Sequence, residues 1–336
     1  MNAAAIALLS SALLASDADL ASLHADPRWP EVLAAAKAEA LRQRPAHEDP
    51  ERPRFVTEDV ERFWAVYDQL SAAADPAALL EQEYLSAGTV GVQDFISDRI
   101  LSGANLWAAI RTHPRFYASI RPATRRMAEA LPAAREALRK FKAIYPEAVF
   151  PDLYFVVGAL NSGGTASGNG LLFGAELFTA GPGTVTDELS PWAKGVLNDP
   201  SALPGIVAHE LVHHQQKVPS RTVLEKVFKE GSADFLASLV TDRVFNARVY
   251  AYGRAHEAAL WRQLSAELDG TDASKWLYRA SESGDRPADV GYFMGFRIAE
   301  AYYAAASDKR AAVREIITAQ DVAKLLRESR YAARFE

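Results

Sequence analysis

The sequence predicts a mainly helical α+β protein with one small β-sheet set next to a helix that carries a His-Glu-x-x-His pattern. Three observations carry that expectation. Apolar residues recur at helical spacing from Thr57 to about Tyr145 and again after residue 180. Between these regions, DLYFVVGAL (152–160) and GLLFGAELF (170–178) are rich in β-branched and aromatic residues, joined by the polar, flexible run NSGGTASGN. Finally, AHELVHHQQKVPSRTVLEKVFKEGSADF (208–235) sets three of the chain's seven histidines and four acidic residues inside helical patterns.

Taken in order, MNAAAIALLSSALLASDADL has the length of a signal-peptide apolar core, but no Lys or Arg precedes Arg28 and the Ser16-Asp17-Ala18 cleavage site is poor. It reads either as a signal or as a helix packed on the domain, which leaves export and cytoplasm both open. DLASLHADPRWPEVLAAAKAEA looks like the segment that closes a tetratricopeptide-type array, although no repeat period follows. A helix is expected over 30–44 and a polar, proline-containing linker over 45–55. The chain therefore divides into an N-terminal helical segment, 1–50, and one domain, 51–336.

Thr57-Glu58-Asp59 supplies a cap to a helix whose apolar face is Val60, Phe63, Trp64, Tyr67 and Leu70. A second long helix is expected through ATRRMAEALPAAREALRKFKAIY, kinked at Pro132. The two strand-like runs follow. NSGGTASGN lacks a Gly-Lys-Ser/Thr ending and opens no helix, so it reads as a loop and not a phosphate cradle. Helices then resume, with AGPGT, NDP and DGTD as punctuation.

Composition narrows the function classes. The 336 residues are 49% hydrophobic and 24% charged, as in globular proteins, and a net charge of −6 offers no attraction for nucleic acid. No run of 18 apolar residues suggests a transmembrane anchor. The absence of cysteine excludes disulfides, catalytic thiols, thiolate zinc sites and a lipid-bearing cysteine. Oligomeric state is not legible.

The chemistry concentrates at His209-Glu210-Leu211-Val212-His213. Asn198-Asp199 precedes a helix expected to start near Ser201, and no Pro or Gly interrupts 206–217. At about 100° per residue, His209 and His213 fall about 40° apart and one turn apart, so both imidazoles reach one cation. Glu210, offset by about 100°, stays beside the metal as a general base toward water. Gln216 lies on the His209 face but is a neutral amide, and His214 points away.

A third zinc ligand must come from elsewhere. The H-E-x-x-H-x-x-G-x-x-H route fails because Gln216 and Pro219 occupy its required positions. On the following helix Glu225 and Glu230 compete. With Val223 at zero, Val227, Glu230 and Asp234 fall at about 40°, 340° and 20° on one stripe, while Glu225 lies at about 200° on a face expected to be solvated. Glu230 is therefore the expected ligand. Asp234, one turn on, would be costly if buried and unpaired, and the distal N–H of His209 is its expected partner.

His209, Glu210, His213, Glu230 and Asp234 together resemble the gluzincin metallopeptidases, whose pattern is H-E-x-x-H followed by E-x-x-x-D. The stretch from Phe55 to Tyr331 is similar to predicted zinc-dependent proteases related to the gliding-motility lipoprotein B family, through LYFVVGALNSGGTASGNGLLFGAELF, EGSADFLA and RPADVGYFMGFRIAEAYY. The resemblance implies a zincin-like fold, a zinc ion, a peptide or protein substrate and peptide-bond hydrolysis. It also implies an edge strand that pairs with substrate, here Leu172, Phe173, Gly174 and Ala175. Tyr292 is the first candidate for an oxyanion donor, with Tyr302, Tyr303 and Arg297 as alternatives. Without cysteine, lipid anchoring and a motility role do not carry over. The competing expectation is a zinc-stabilised, non-catalytic scaffold.

Overall fold

The structure, a computed structural model, describes residues 22–23, 25–35, 47–243, 246–277 and 286–335. The signal-like run and most of the helix expected over 30–44 lie outside them, although residues 29–35 are helical. The expected linker is anchored. Arg135 donates to the carbonyls of Pro50 and Pro53 at 2.7 and 2.6 Å, and Phe55 enters a strand under the Arg135 guanidinium.

The architecture is mainly helical with one four-stranded sheet. β1 (Phe55–Val56) leads into α1 (Glu58–Tyr67), α2 (Pro76–Leu79), α3 (Val90–Phe95), α4 (Gly103–Thr112), α5 (Pro114–Arg126) and α6 (Leu131–Ile144). Two π-turns, Leu80–Leu85 and Ile96–Ile100, continue α2 and α3. Thr57 makes no side-chain cap to α1. Buried Asp59 is instead engaged by Thr89, whose amide and hydroxyl donate to it at 3.1 and 2.5 Å. The single helix expected around Pro132 is two: a 3-10 turn, Met127–Ala130, separates α5 from α6. Pro132 occupies the first turn of α6, where its missing N–H leaves no helical bond unmade.

The sheet sits at the centre. β2 (Leu153–Val156), β3 (Thr165–Ala166) and β4 (Leu171–Gly174) complete the order β1-β2-β4-β3, with β1, β2 and β4 parallel and β3 antiparallel to β4. Every residue of β2 and β4 is buried, which explains their continuous apolar runs. Phe155 and Phe173 stack across the pair at 5.2 Å, a contact worth about 0.5–1.5 kcal/mol beyond its area. Both strands end sooner than their apolar runs: after Gly174 the chain enters a 3-10 turn, Ala175–Phe178.

This order corrects the substrate-strand expectation. All three of Leu172, Phe173 and Gly174 lie on an inner strand, Leu172 paired on both sides and Phe173 and Gly174 paired with β2, and Ala175 has already left it. The outer strand on this side of the sheet is the two-residue β3. The chain folds back through NSGGTASGN and covers the edge of β4 at Leu171 and Leu172.

After α7 (Pro191–Val196) come α8 (Leu203–Gln215), α9 (Val223–Thr241), α10 (Ala247–Ser265), α11 (Val290–Ala305), α12 (Lys309–Thr318) and α13 (Val322–Ser329). α8 is wedged between β3, β4, α6 and α9, and its residues 207–212 are all buried. α9 and α11 cross with backbones touching. A Cβ on Gly231 would stand 2.2 Å from the Phe296 nitrogen, and one on Gly295 would stand 2.0 Å from the Val227 carbonyl oxygen. Only glycine permits that approach. Among the described residues no helix is long and apolar enough to cross a membrane.

Candidate metal centre

α8 presents His209, Glu210 and His213, and α9 presents Glu230 and Asp234. The helices are oriented partly by a capping box that fixes where α9 begins: Thr222 accepts from the Glu225 amide at 3.2 Å, and Glu225 accepts from the Thr222 amide at 3.2 Å. Glu225 is thus buried rather than solvated, and the Arg221 guanidinium beside it holds its carboxyl below the ordinary range. The signal T-x-x-E at 222–225 was available in the sequence.

Three atoms converge. His209 Nε2 and His213 Nε2 are 2.9 Å apart, and Glu230 Oε2 lies 3.7 and 3.3 Å from them. Ligand atoms about 2.1 Å from a tetrahedral zinc stand roughly 3.4 Å from one another, a value these separations bracket.

Hydrogen-bond roles define what the three atoms offer. The Gln216 amide nitrogen donates to the Lys229 carbonyl and to Ser232 Oγ, at 2.9 and 3.0 Å, so its oxygen faces His213 and accepts from Nδ1 at 2.8 Å. His209 Nδ1 donates to Asp234 Oδ1 at 2.8 Å, and Asp234 Oδ2 accepts from the Tyr250 hydroxyl at 2.6 Å. With both Nδ1 atoms held by these acceptors, the two Nε2 atoms are left to face each other and a carboxylate oxygen, and a cation bound among them would take the place of any Nε2 proton. Such a donor set asks for a cation, and it fits zinc.

Electrostatics agree. Burial opposes charge on His209, but hydrogen bonds to Asp234 and Glu230 outweigh it and raise the imidazole well above its ordinary pKa. Burial would raise Glu230, yet His213 and His209 hold it well below the carboxylate range. The cluster therefore attracts positive charge. His214, half-buried on another side of α8, is pushed down to about 4 by desolvation and the nearby His47.

Glu210 behaves differently. Among the described residues its carboxylate has no hydrogen bond or ion pair, and Gly164 lies against it so closely that a Cβ there would stand 2.7 Å from Oε1. Burial, chiefly, pushes its carboxyl upward. It opens onto a cavity of about 240 Å³ lined by Ser162, Gly164, Trp192, Ile206, His209 and Tyr292, among others. The Tyr292 ring stacks beside His209, with centroids 6.1 Å apart. The alternatives are committed elsewhere: Tyr302 to Glu315, Arg297 to Glu257 and Glu300, and Tyr303 against Phe235.

Two residues of this environment were not anticipated. Tyr250, from α10, carries no sequence signal, since its partner is sixteen residues away on another helix. Glu176 is fully buried just past β4 and accepts from the amides of Gly158 and Leu160 at 2.8 and 3.2 Å. It clasps the start of the loop that brings Gly164 onto Glu210. An acid inside the apolar run GLLFGAELF was the visible hint.

Neither curated proteins nor solved structures yield a match to the chain. The family model described as "Gliding motility protein GldB" matches residues 56–333. Because that match runs from β1 into the final helical turn, across every element that builds the candidate metal centre and its cavity, the chain belongs to the gliding motility protein GldB family.

Proposed function

We propose that the chain is a zinc-dependent peptide-bond hydrolase of the gluzincin, zincin-like type, in which His209, His213 and Glu230 hold the ion. The observation that carries this reading is the convergence of three lone-pair donors beside a fourth group, the Glu210 carboxylate, that faces the cavity with no partner among the described residues. A purely structural site needs no such group, which favours an enzyme over a zinc-stabilised scaffold.

Zinc, when bound, supplies Lewis acidity toward a carbonyl oxygen and toward water. The chain's own residues do the rest. Asp234 and Gln216 hold the imidazoles in the tautomer that exposes Nε2. Glu210 accepts a proton from water in the cavity and delivers it to the departing amine. Tyr292 is assigned as donor to the developing oxyanion. With the first half of β4 paired to β3, the outer strand β3 is the one assigned to receive extended peptide, through Thr165–Ala166.

Glu210→Gln is the decisive variant. It should retain one zinc per chain by elemental analysis while hydrolysis of a diverse peptide library falls by about 100-fold or more. Chelator-sensitive cleavage that survives in the zinc-loaded variant would overturn the mechanism.

A further inference from the structure

α7 borders the cavity that Glu210 faces, and its residues fall into two sets. Ala193 is buried and Ser190 accepts from its amide at 3.1 Å, which seats the helix. Trp192, Gly195 and Val196, at i, i+3 and i+4, share another side, and all three line the cavity. The end of α7 is tied down. Asn198 donates through its side chain to the Val196 carbonyl and through its amide to the Leu177 carbonyl, each at 2.8 Å. Leu177 and Ile206 complete an apolar wall.

Ile206 places that wall. It precedes His209 and Glu210 by one turn of α8, so it stands about 5 Å along the helix axis from the groups proposed to bind metal and move the proton. Gly195 is the member that packing does not explain. Glycine is less stable than alanine within a helix, Gly195 has no left-handed backbone to require it, and a Cβ there would meet nothing within 4 Å. At Gly231 and Gly295, by contrast, the neighbouring backbone forbids a side chain. What glycine leaves at position 195 is width on the exposed side of the cavity, on the same side of α7 as Trp192.

Size and polarity define the occupant. The wall of Leu177, Trp192, Val196 and Ile206 carries no charge, so a charged group pressed against it would lose water without gaining a partner. An apolar cavity of about 150 Å³ is enough to hold benzene. At about 240 Å³ this one takes a phenyl ring, with space over for the peptide beside Glu210.

We propose that Trp192, Gly195, Val196 and Ile206 form the pocket for an aromatic side chain flanking the bond that is cut, and that the missing side chain of Gly195 sets its width. The inference deepens the peptidase reading and rests on it for the identity of the occupant. Specificity is then set largely by α7, an element apart from the two helices that carry the proposed metal ligands.

The test uses the full Glu210→Gln chain in zinc-containing buffer, so that cleavage does not consume the probe. The probes are acetyl-Gly-Gly-Xaa-Gly-Gly-amide with Phe, Ala, Lys or Glu as Xaa. A single side chain per peptide lets the register follow wherever that side chain fits. NMR titration gives the dissociation constants. Expected is about tenfold or more tighter binding of the Phe peptide than of the Ala peptide, with the Lys and Glu peptides no tighter than Ala. Gly195→Val narrows the cavity from α7 and Ile206→Phe fills it from α8. Each should cut the Phe-to-Ala ratio to about three or less, the loss expected when a ring no longer fits. Urea unfolding shows that each variant is folded; should one fail to fold, the other tests the opposite wall.

Equal binding of the Phe and Ala peptides overturns the proposal, as does a ratio that either folded variant leaves unchanged. Tighter binding of the Lys or Glu peptide than of Phe overturns it, and so does binding of none. Cleavage of the same peptides by the parent chain is scored separately. Selective binding without cleavage would support the pocket and count against the hydrolase reading. Cleavage that ignores the Phe side chain would overturn the pocket and leave that reading in place.

Discussion

Asp234 holds two neighbours at once, accepting from His209 through Oδ1 and from the Tyr250 hydroxyl through Oδ2. That arrangement fixes the ring's orientation: while Oδ1 accepts, His209 must carry a proton on Nδ1, and Nε2 is the atom that faces His213 and Glu230. Gln216 does the same for His213 with a neutral acceptor. Under the proposed reading, Asp234→Asn should weaken zinc binding by about 10- to 100-fold, the usual effect of removing a ligand's hydrogen-bond partner. Tyr250→Phe should weaken it less, since the carboxylate stays in place. Competition with a chromophoric chelator measures both. A folded Asp234→Asn protein with unaltered zinc affinity would show that the ring needs no such support. Spacing along one helix made the Asp234 position legible; the Tyr250 partner was not, because contacts between helices have no period.

α9 and α11 are held in register by the contact of Gly231 with Gly295. Glu230 immediately precedes the first glycine, and Tyr292 lies one turn before the second, so this crossing sets where the proposed metal ligand and a cavity-lining ring stand. Gly231→Ala and Gly295→Ala would each push a methyl group into the partner's backbone, which cannot rotate away. Each should destabilise by about 1–3 kcal/mol or more, as overpacked cores do. Gly195→Ala, where no atom lies within 4 Å of the new methyl, should be near neutral. Urea unfolding compares the three, and equal midpoints would mean that the crossing is soft. Strand order belongs to this scale as well. The apolar runs located β2 and β4, but the edge position passed to β3 because a glycine-rich loop returned the chain along β4.

For the whole molecule, Glu176 links the sheet to the cavity and makes stability depend on pH. Burial raises its carboxyl to about 7 despite the amides of Gly158 and Leu160. The unfolded chain loses this proton near pH 4.5, whereas the folded chain keeps it until about 7. Between those values the native state binds more protons, so the contribution of Glu176 to stability falls as pH rises, by about 3 kcal/mol in all. Stability is fullest below pH 4.5 for this group and lowest above 7. Denaturation of Glu176→Gln alongside the parent from pH 4.5 to 7.5 isolates the effect. The difference between the two should change by about that amount. Parallel curves would show that Glu176 keeps an ordinary pKa.

Helical periodicity, the i, i+4 histidines and the stripe shared by Glu230 and Asp234 are properties of neighbouring residues, and the sequence by itself determined them. It also determined the mainly helical class and the existence of two central strands. Tertiary structure decided the rest: which strand lies at the edge, that Glu225 closes a cap, and that Gln216 and Tyr250 complete the hydrogen bonding. The physical reason is range. A helix imposes its 3.6-residue repeat on adjacent residues, whereas strand order, buried charge and hydrogen bonds between elements depend on which distant segments the core brings together.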